Sequence, residues 1–130
     1  MLFYVNIVLI LIVIGIIGYP FVNKFRIKSV AKLVDNAEFS KQMIGGQLID
    51  LREANDFRVA HILGARNLPF STLDQSLSAI RKDKPILFYE NAKPAVAIRA
   101  ALKLKKAGYI NIFILKTGMK TWHGKIKKGA

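Results

Sequence analysis

The sequence predicts an α/β domain, a mostly parallel sheet flanked by helices, behind one N-terminal transmembrane helix. Three observations carry that prediction. Leu2 to Val22 contains no charged side chain. Through the rest of the chain, short apolar runs alternate with longer segments of helical periodicity, the pattern of a layered α/β domain. Glycine and proline stand at the borders between these segments, at Gly45-Gly46, Pro69, Pro85, Pro94 and Gly108.

The apolar run comes first. At 1.5 Å per residue it spans about 31 Å, close to the hydrocarbon thickness of a bilayer. Asn6 is its only strongly polar residue, and Gly15, Gly18 and Pro20 are tolerated in a membrane helix better than in a soluble one. Tyr4 and Tyr19 lie near its two ends, where interfacial aromatics collect. A cleaved signal peptide is the competing reading, but no basic region precedes the run and no small-residue cleavage site follows it. Gly15 and Gly18 are three apart, one short of the small-xxx-small dimer spacing. Lys24, Arg26, Lys28 and Lys32 follow the span and no Lys or Arg precedes it. The positive-inside rule then expects a single-pass cell-membrane protein with its C-terminal domain in the cytoplasm. The expected organisation is a transmembrane helix over 1–22, a basic connector over 23–34 and a domain over 35–128.

Within the domain, Asp35 caps a predicted helix carrying Ala37, Phe39, Met43 and Ile44, ended by Gly45-Gly46. Leu48 to Leu51 is a short apolar run with the look of a buried strand. Pro69 introduces a helix in which Leu73, Leu77 and Ile80 repeat. Pro85 to Tyr89 is the clearest strand, and Pro94 suits the first turn of a helix over Ala95–Ala107. The apolar face of that helix is Ile98, Ala101, Leu102 and Leu104, with Arg99, Lys103 and Lys106 elsewhere. Ile110 to Leu115 is a third strand, and a helical turn over Met119–Trp122 closes the domain.

The chain has 21 Lys plus Arg against 8 Asp plus Glu, a net charge of +13. No acidic residue follows Glu90, so such a surface is drawn to anionic partners. With an anchor present, anionic lipid is the simplest of these. Nucleic acid is disfavoured because stacking aromatics are not interleaved with the basic residues. There is no cysteine, which excludes disulfides, thiolate metal sites and a sulfur nucleophile.

Several landmarks fall in a recognisable order. Leu48-Ile49-Asp50-Leu51-Arg52 is a strand ending in Asp-x-Arg. Asp56-Phe57 is followed by His61-Ile62-Leu63-Gly64-Ala65-Arg66-Asn67-Leu68-Pro69. Asp83-Lys84-Pro85-Ile86 leads to Tyr89. Lys105-Lys106-Ala107-Gly108-Tyr109, Leu115-Lys116-Thr117-Gly118-Met119 and Trp122 close the pattern. Over residues 47–124 the chain resembles the rhodanese-like domain family, in its membrane-anchored, bacterial type. The resemblance implies a central parallel sheet and structural roles for Asp50, Arg52, His61, Gly64, Ala65, Asn67, Pro69, Gly118 and Trp122.

In active members the loop after the strand ending here at Tyr89 begins with a cysteine, in a pattern close to C-x-x-G-x-R-S. That cysteine becomes a persulfide, cradled by loop amides and the next helix N-terminus. Here the loop runs Glu90-Asn91-Ala92-Lys93-Pro94-Ala95-Val96. Cysteine, glycine and arginine are all absent from their expected places. A carboxylate cannot take the thiolate's part, because it would form an unstable acyl–sulfur species. The resemblance therefore implies a vestigial loop with no catalytic residue and no cofactor. The expected function is a catalytically inactive binding or regulatory module for a protein or small anion. The alternative is a sulfurtransferase- or phosphatase-like enzyme with an unrecognised nucleophile.

Glu90 has three readings: solvated, folded onto the loop's own amides as an internal anion, or turned outward to a basic partner. Lys93 beside it suits binding of phosphate or sulfate without covalent transfer. His61 and His123 are the only histidines and no acidic cluster accompanies them, so no metal site is expected. His61 is expected to pack and hydrogen-bond to backbone, Asp50 and Arg52 to tie loops together, and Trp122 to anchor the core. Ser71 and Thr72 lack a base-and-orienter arrangement.

Overall fold

A computed structural model describes residues 1–129, with the backbone alone over 23–29. Helix α1 (Leu2–Val30) leads into strand β1 (Lys32–Val34), helix α2 (Asn36–Met43) and strand β2 (Gln47–Asp50). Helix α3 (Ala54–Val59), β3 (Ala60–Ile62) and β4 (Arg66–Asn67) follow, then the short α4 (Leu73–Ser76) between two 3₁₀ turns. Strand β5 (Ile86–Tyr89), helix α5 (Ala95–Lys106), β6 (Ile112–Leu115), a 3₁₀ turn (Met119–Thr121) and β7 (Ile126–Lys128) complete the chain. Five strands form one parallel sheet in the order β1-β6-β5-β2-β4, while β3 and β7 pair antiparallel beside it.

The predicted α/β fold with its parallel sheet is what the chain adopts. Central strands β5 and β6 are buried along their whole length, as a sheet covered on both faces requires. One face packs Ile49, Phe88 and Ile114 against α5 through Ala97, Ala100, Ala101 and Leu104. The other packs Leu48, Leu87, Tyr89 and Phe113 against Phe39 of α2, with Trp122 edge-on to Phe39 at 5.9 Å. Asp35 caps α2 by accepting from the Glu38 N–H at 2.9 Å.

Several boundaries differ from the expectation, each for a local reason. The stretch expected as a basic connector over 23–34 continues α1 to Val30 and then supplies β1, paired from Lys32↔Phe113 to Val34↔Leu115. The side chains of Lys24, Arg26 and Lys28, on which the orientation argument rests, lie outside the described residues. The helix expected after Pro69 breaks into three pieces at Thr72 and Ser76, whose hydroxyls bond back to the carbonyls of Pro69 and Thr72. The strand expected from Ile110 starts at Ile112, because Asn111 adopts φ +66° and leaves Ile110 exposed. On α5 the buried face is Ala97, Ala100, Ala101 and Leu104, and Ile98 and Leu102 are half-buried towards Val30 and Ala31. The lysine-rich tail is not featureless: it forms β7.

Within α1, Leu2–Val22 is a 21-residue stretch in which no residue is buried, apolar and long enough to cross a membrane.

Candidate functional site

In a parallel sheet, every connection leaving a strand emerges at one end, and ligands gather there. At that end lies a cleft of about 490 Å³ bounded by Leu51, Arg52, Phe70 and the loop from Glu90 to Val96. Strand β5 delivers the loop, and α5 carries it back down the sheet.

Glu90 is half-buried, and its Oε2 accepts from the Ala97 N–H at 2.7 Å. The carboxylate thus sits on the first turn of α5, where unpaired amides and the helix dipole favour negative charge. Burial pushes the Glu90 pKa up, and the amides of Ala97 and Val96 pull it part of the way back. Of the three readings for Glu90, the geometry is that of an anion turned onto its own loop. Lys93 is exposed on the rim of the same cleft.

The loop is held from outside itself. Asp50, fully buried at the end of β2, accepts from Arg52 Nε at 3.0 and 3.1 Å and from Nη2 at 2.8 Å. The same guanidinium donates to Asn91 Oδ1 at 3.0 Å and to the Ala60 carbonyl at 2.6 Å. Burial works against the charged guanidinium, but the hydrogen bonds and charge of Asp50 outweigh it and raise the Arg52 pKa. Asp50 and Arg52 therefore join three segments, β2, β3 and the loop.

From the far side, the Met119 N–H donates to the Glu90 carbonyl at 2.7 Å and the Lys120 N–H to the Asn91 carbonyl at 2.8 Å. Gly118 permits that approach. Its φ is +67°, and a Cβ there would lie 2.6 Å from the Glu90 oxygen and 2.7 Å from the Asn91 carbonyl.

The remaining motif residues support this frame without entering the cleft. Asn67 donates to the carbonyls of Asp50 and Arg52 at 3.2 and 2.8 Å. His61 Nδ1 lies 2.8 Å from the Phe57 carbonyl oxygen, and its ring stacks on Phe57 at 3.7 Å. Gly64 takes φ +90° in the turn between β3 and β4, and Ala65 packs on the Phe39 side of the core. Pro69 precedes the 3₁₀ turn that brings Phe70 and Ser71 to the cleft. Among the described residues, no group of three or more His, Asp or Glu could hold a metal ion.

Sequence alone offers Leu51, Asp56 and Tyr89 only as landmarks and gives Phe70 no part, yet Leu51, Asp56 and Phe70 line the cleft and Tyr89 ties its strand to β3. The Tyr89 hydroxyl accepts from the Ile62 N–H at 3.0 Å, and burial, then the Asp50 charge, raises its pKa well beyond the ordinary phenol range. That contact links residues 27 apart, and no local pattern announces it.

A family model described as the rhodanese-like domain matches residues 33–125. The chain belongs to the rhodanese-like domain family. It is 40% identical over 123 residues to the uncharacterized protein YqhL of Bacillus subtilis, covering 94% of this chain and 96% of that protein. It is 34% identical over 85 residues to the uncharacterized protein YibN of Escherichia coli K12, covering 59% and 55% of the two chains. Among solved structures, this rhodanese-like chain superposes on the reduced CoADR-RHD of Bacillus anthracis with a TM-score of 0.67 and 27% identity. That match covers 82% of this chain and 19% of the other. The BH2092 protein of Bacillus halodurans gives a TM-score of 0.66 over 84% and 85% of the two chains, and at 22% identity speaks for the fold alone.

Proposed function

We propose that the chain is a membrane-tethered rhodanese-like module without sulfurtransferase activity, whose loop cleft recognises a protein partner from the cytoplasmic side. One observation carries the reading: the Glu90 carboxylate occupies the amide of Ala97 that an anionic intermediate would need. The site thus holds its own anion and lacks a sulfur nucleophile, since the chain has no cysteine. A small anion would compete with Glu90 for the same donors, so a protein surface suits the cleft better. The apolar Leu2–Val22 helix supports the tether, and the basic residues after it support a cytoplasmic domain.

The test has two arms on the full chain. Thiosulfate turnover is expected to stay at background. A photo-crosslinker at position 92, in native membranes, is expected to give one reproducible protein adduct that disappears when Glu90 and Lys93 are both changed to Ala. Turnover abolished by substitutions in the loop would instead establish an enzyme with a different nucleophile. Lipid adducts alone, or none, would reject the loop as a recognition surface.

A further inference from the structure

The charges of the domain are sorted along the strands. Segments that leave the sheet carry Asp35, Glu38, Asp50, Glu53, Asp56 and Glu90, six of the eight acidic residues, although Arg52, Lys93, Lys116 and Lys120 are there as well. Segments that lead into the sheet carry Lys32, Arg81, Lys82, Lys84, Lys105 and Lys106. Asp83 is the acid among them, and it is already bonded to Arg81 at 2.6 Å.

These basic segments form one surface. Gln47 donates to the Arg81 carbonyl at 2.8 Å and accepts from the Arg81 N–H at 2.7 Å, joining the approach to β5 to that of β2. Lys82 lies 5.2 Å from the Tyr109 ring, joining it to the approach to β6. Two large apolar side chains stand exposed on the same end, Ile44 at 86% and Ile110 at 61%. Helix α1 leads into the start of β1 at this end, while Val30 and Ala31 pack along α5 beside Ile98, Ala101 and Leu102. From Val22 to Val30 is eight helical residues, about 12 Å, which keeps the domain close to any bilayer that the apolar stretch of α1 crosses.

We propose that the strand-entering end of the domain docks on the anionic headgroups of the membrane that holds α1, with Ile44 and Ile110 reaching into the interface. Cations near an anionic leaflet and apolar side chains between them are the two attractions such a surface uses. Docking turns the opposite end, with Glu90 and the cleft, towards the aqueous phase. The lysines of β7 take no part. The proposal rests on the membrane tether of the preceding section but not on the loop's role there.

The chain has no cysteine, so single cysteines report cleanly. Full chains with Ile44→Cys, Ile110→Cys or Ala92→Cys, each bearing an environment-sensitive fluorophore, are reconstituted in phosphatidylcholine vesicles with or without phosphatidylserine. On anionic vesicles at low salt, probes at 44 and 110 are expected to shift to the blue and be quenched by headgroup-level nitroxide lipid. Molar salt reverses both effects, while the probe at 92 stays in water throughout. Changing the exposed Lys84, Lys105 and Lys106 to Gln lowers the docked-to-undocked ratio about fivefold per charge. The matched set Lys120, Lys125 and Lys127 to Gln leaves it unchanged. Probes at 44 and 110 that stay wet on anionic vesicles, a buried probe at 92, or equal effects of the two lysine sets would overturn the docking. So would a shift produced by added RNA and not by anionic lipid. Release of the chain by alkaline carbonate would overturn the tether and the docking together, whereas a retained chain with wet probes overturns the docking alone.

Discussion

Replacing Arg52 by Met tests whether the frame around the cleft depends on one buried ion pair. Asp50 has no exposed surface, and Arg52 Nε and Nη2 make all three of the side-chain hydrogen bonds its carboxylate accepts, leaving only the Arg52 backbone N–H at 2.9 Å. The substitution keeps most of the apolar stem but strands the carboxylate and also uncaps the Ala60 carbonyl. Breaking a buried pair from one side costs about 3–5 kcal/mol. For a domain near 100 residues this is about 15–30 °C in Tm. Adding Asp50→Asn removes the stranded charge, so the double variant is expected to regain about 2 kcal/mol over Arg52→Met alone. Trp122 is the only tryptophan and packs on Phe39, so its fluorescence follows unfolding of the domain in urea with the full chain held in nanodiscs. A loss below about 1 kcal/mol for Arg52→Met, or a double variant no more stable than the single, would refute the reasoning.

Three further outcomes follow from the same geometry. Gly118→Ala forces a Cβ onto the Glu90 and Asn91 carbonyls at a positive φ, and is expected to cost about 2–4 kcal/mol in the same urea titration; a neutral effect would mean the loop is not held there. Glu90→Gln keeps an acceptor for Ala97 and removes the charge. Because burial raises the Glu90 pKa in the folded chain, wild-type stability from this group is full below the ordinary carboxylate pKa and falls as pH rises through the raised value. The advantage of Gln over Glu is therefore expected to grow with pH across that window and then level off, and a flat or inverted difference would reject the assignment. Tyr109→Phe removes a hydroxyl that donates to the Leu77 and Ile80 carbonyls at 2.7 and 3.0 Å, at an expected cost of about 1–2 kcal/mol measured by thermal unfolding.

Elements with enough length to show a period were legible from sequence. Helix α2 with its Asp35 cap, α5 ending before Gly108, and strands β2 and β5 all lie within a residue or two of the pattern that announces them, while the apolar helix starts as expected but runs eight residues past Val22. Strands β1, β3, β4 and β7 have two or three residues each, too few for any alternation to register. Two of them are also disguised: Lys32-Leu33-Val34 sits in a basic stretch, and Ile126-Lys127-Lys128 reads as part of a charge run until β3 is seen beside it. The loop at Glu90 was equally legible, because the strand before it and the proline after it mark its ends. What Glu90 touches was not, since three outcomes were open and only the chain path of α5 decides among them. The Arg52–Asn91 bond joins residues 39 apart, and nothing in either neighbourhood signals it.

The shape of the cleft and its chemistry are separable in this chain. Loop residues 90 and 91 are fixed through their backbone carbonyls by Met119 and Lys120, and Asn91 is further fixed by Arg52, which is itself locked to Asp50. None of those contacts uses the side chain at position 90. That side chain adds a bond of its own to Ala97, and burial makes its charge costly to hold. A loop whose form depends on its own side chains would sag when a nucleophile is lost; one held by outside donors keeps its outline. Under the proposed recognition role, the side chains at 90 and 93 can change while the frame that holds the loop is kept. On this argument a double change of Glu90 and Lys93 to Ala removes the partner adduct at position 92 while the Trp122 unfolding curve moves by no more than about 2 kcal/mol, the range for losing one capping acceptor. A chain that unfolds outright on that change would show that form and recognition rest on the same atoms.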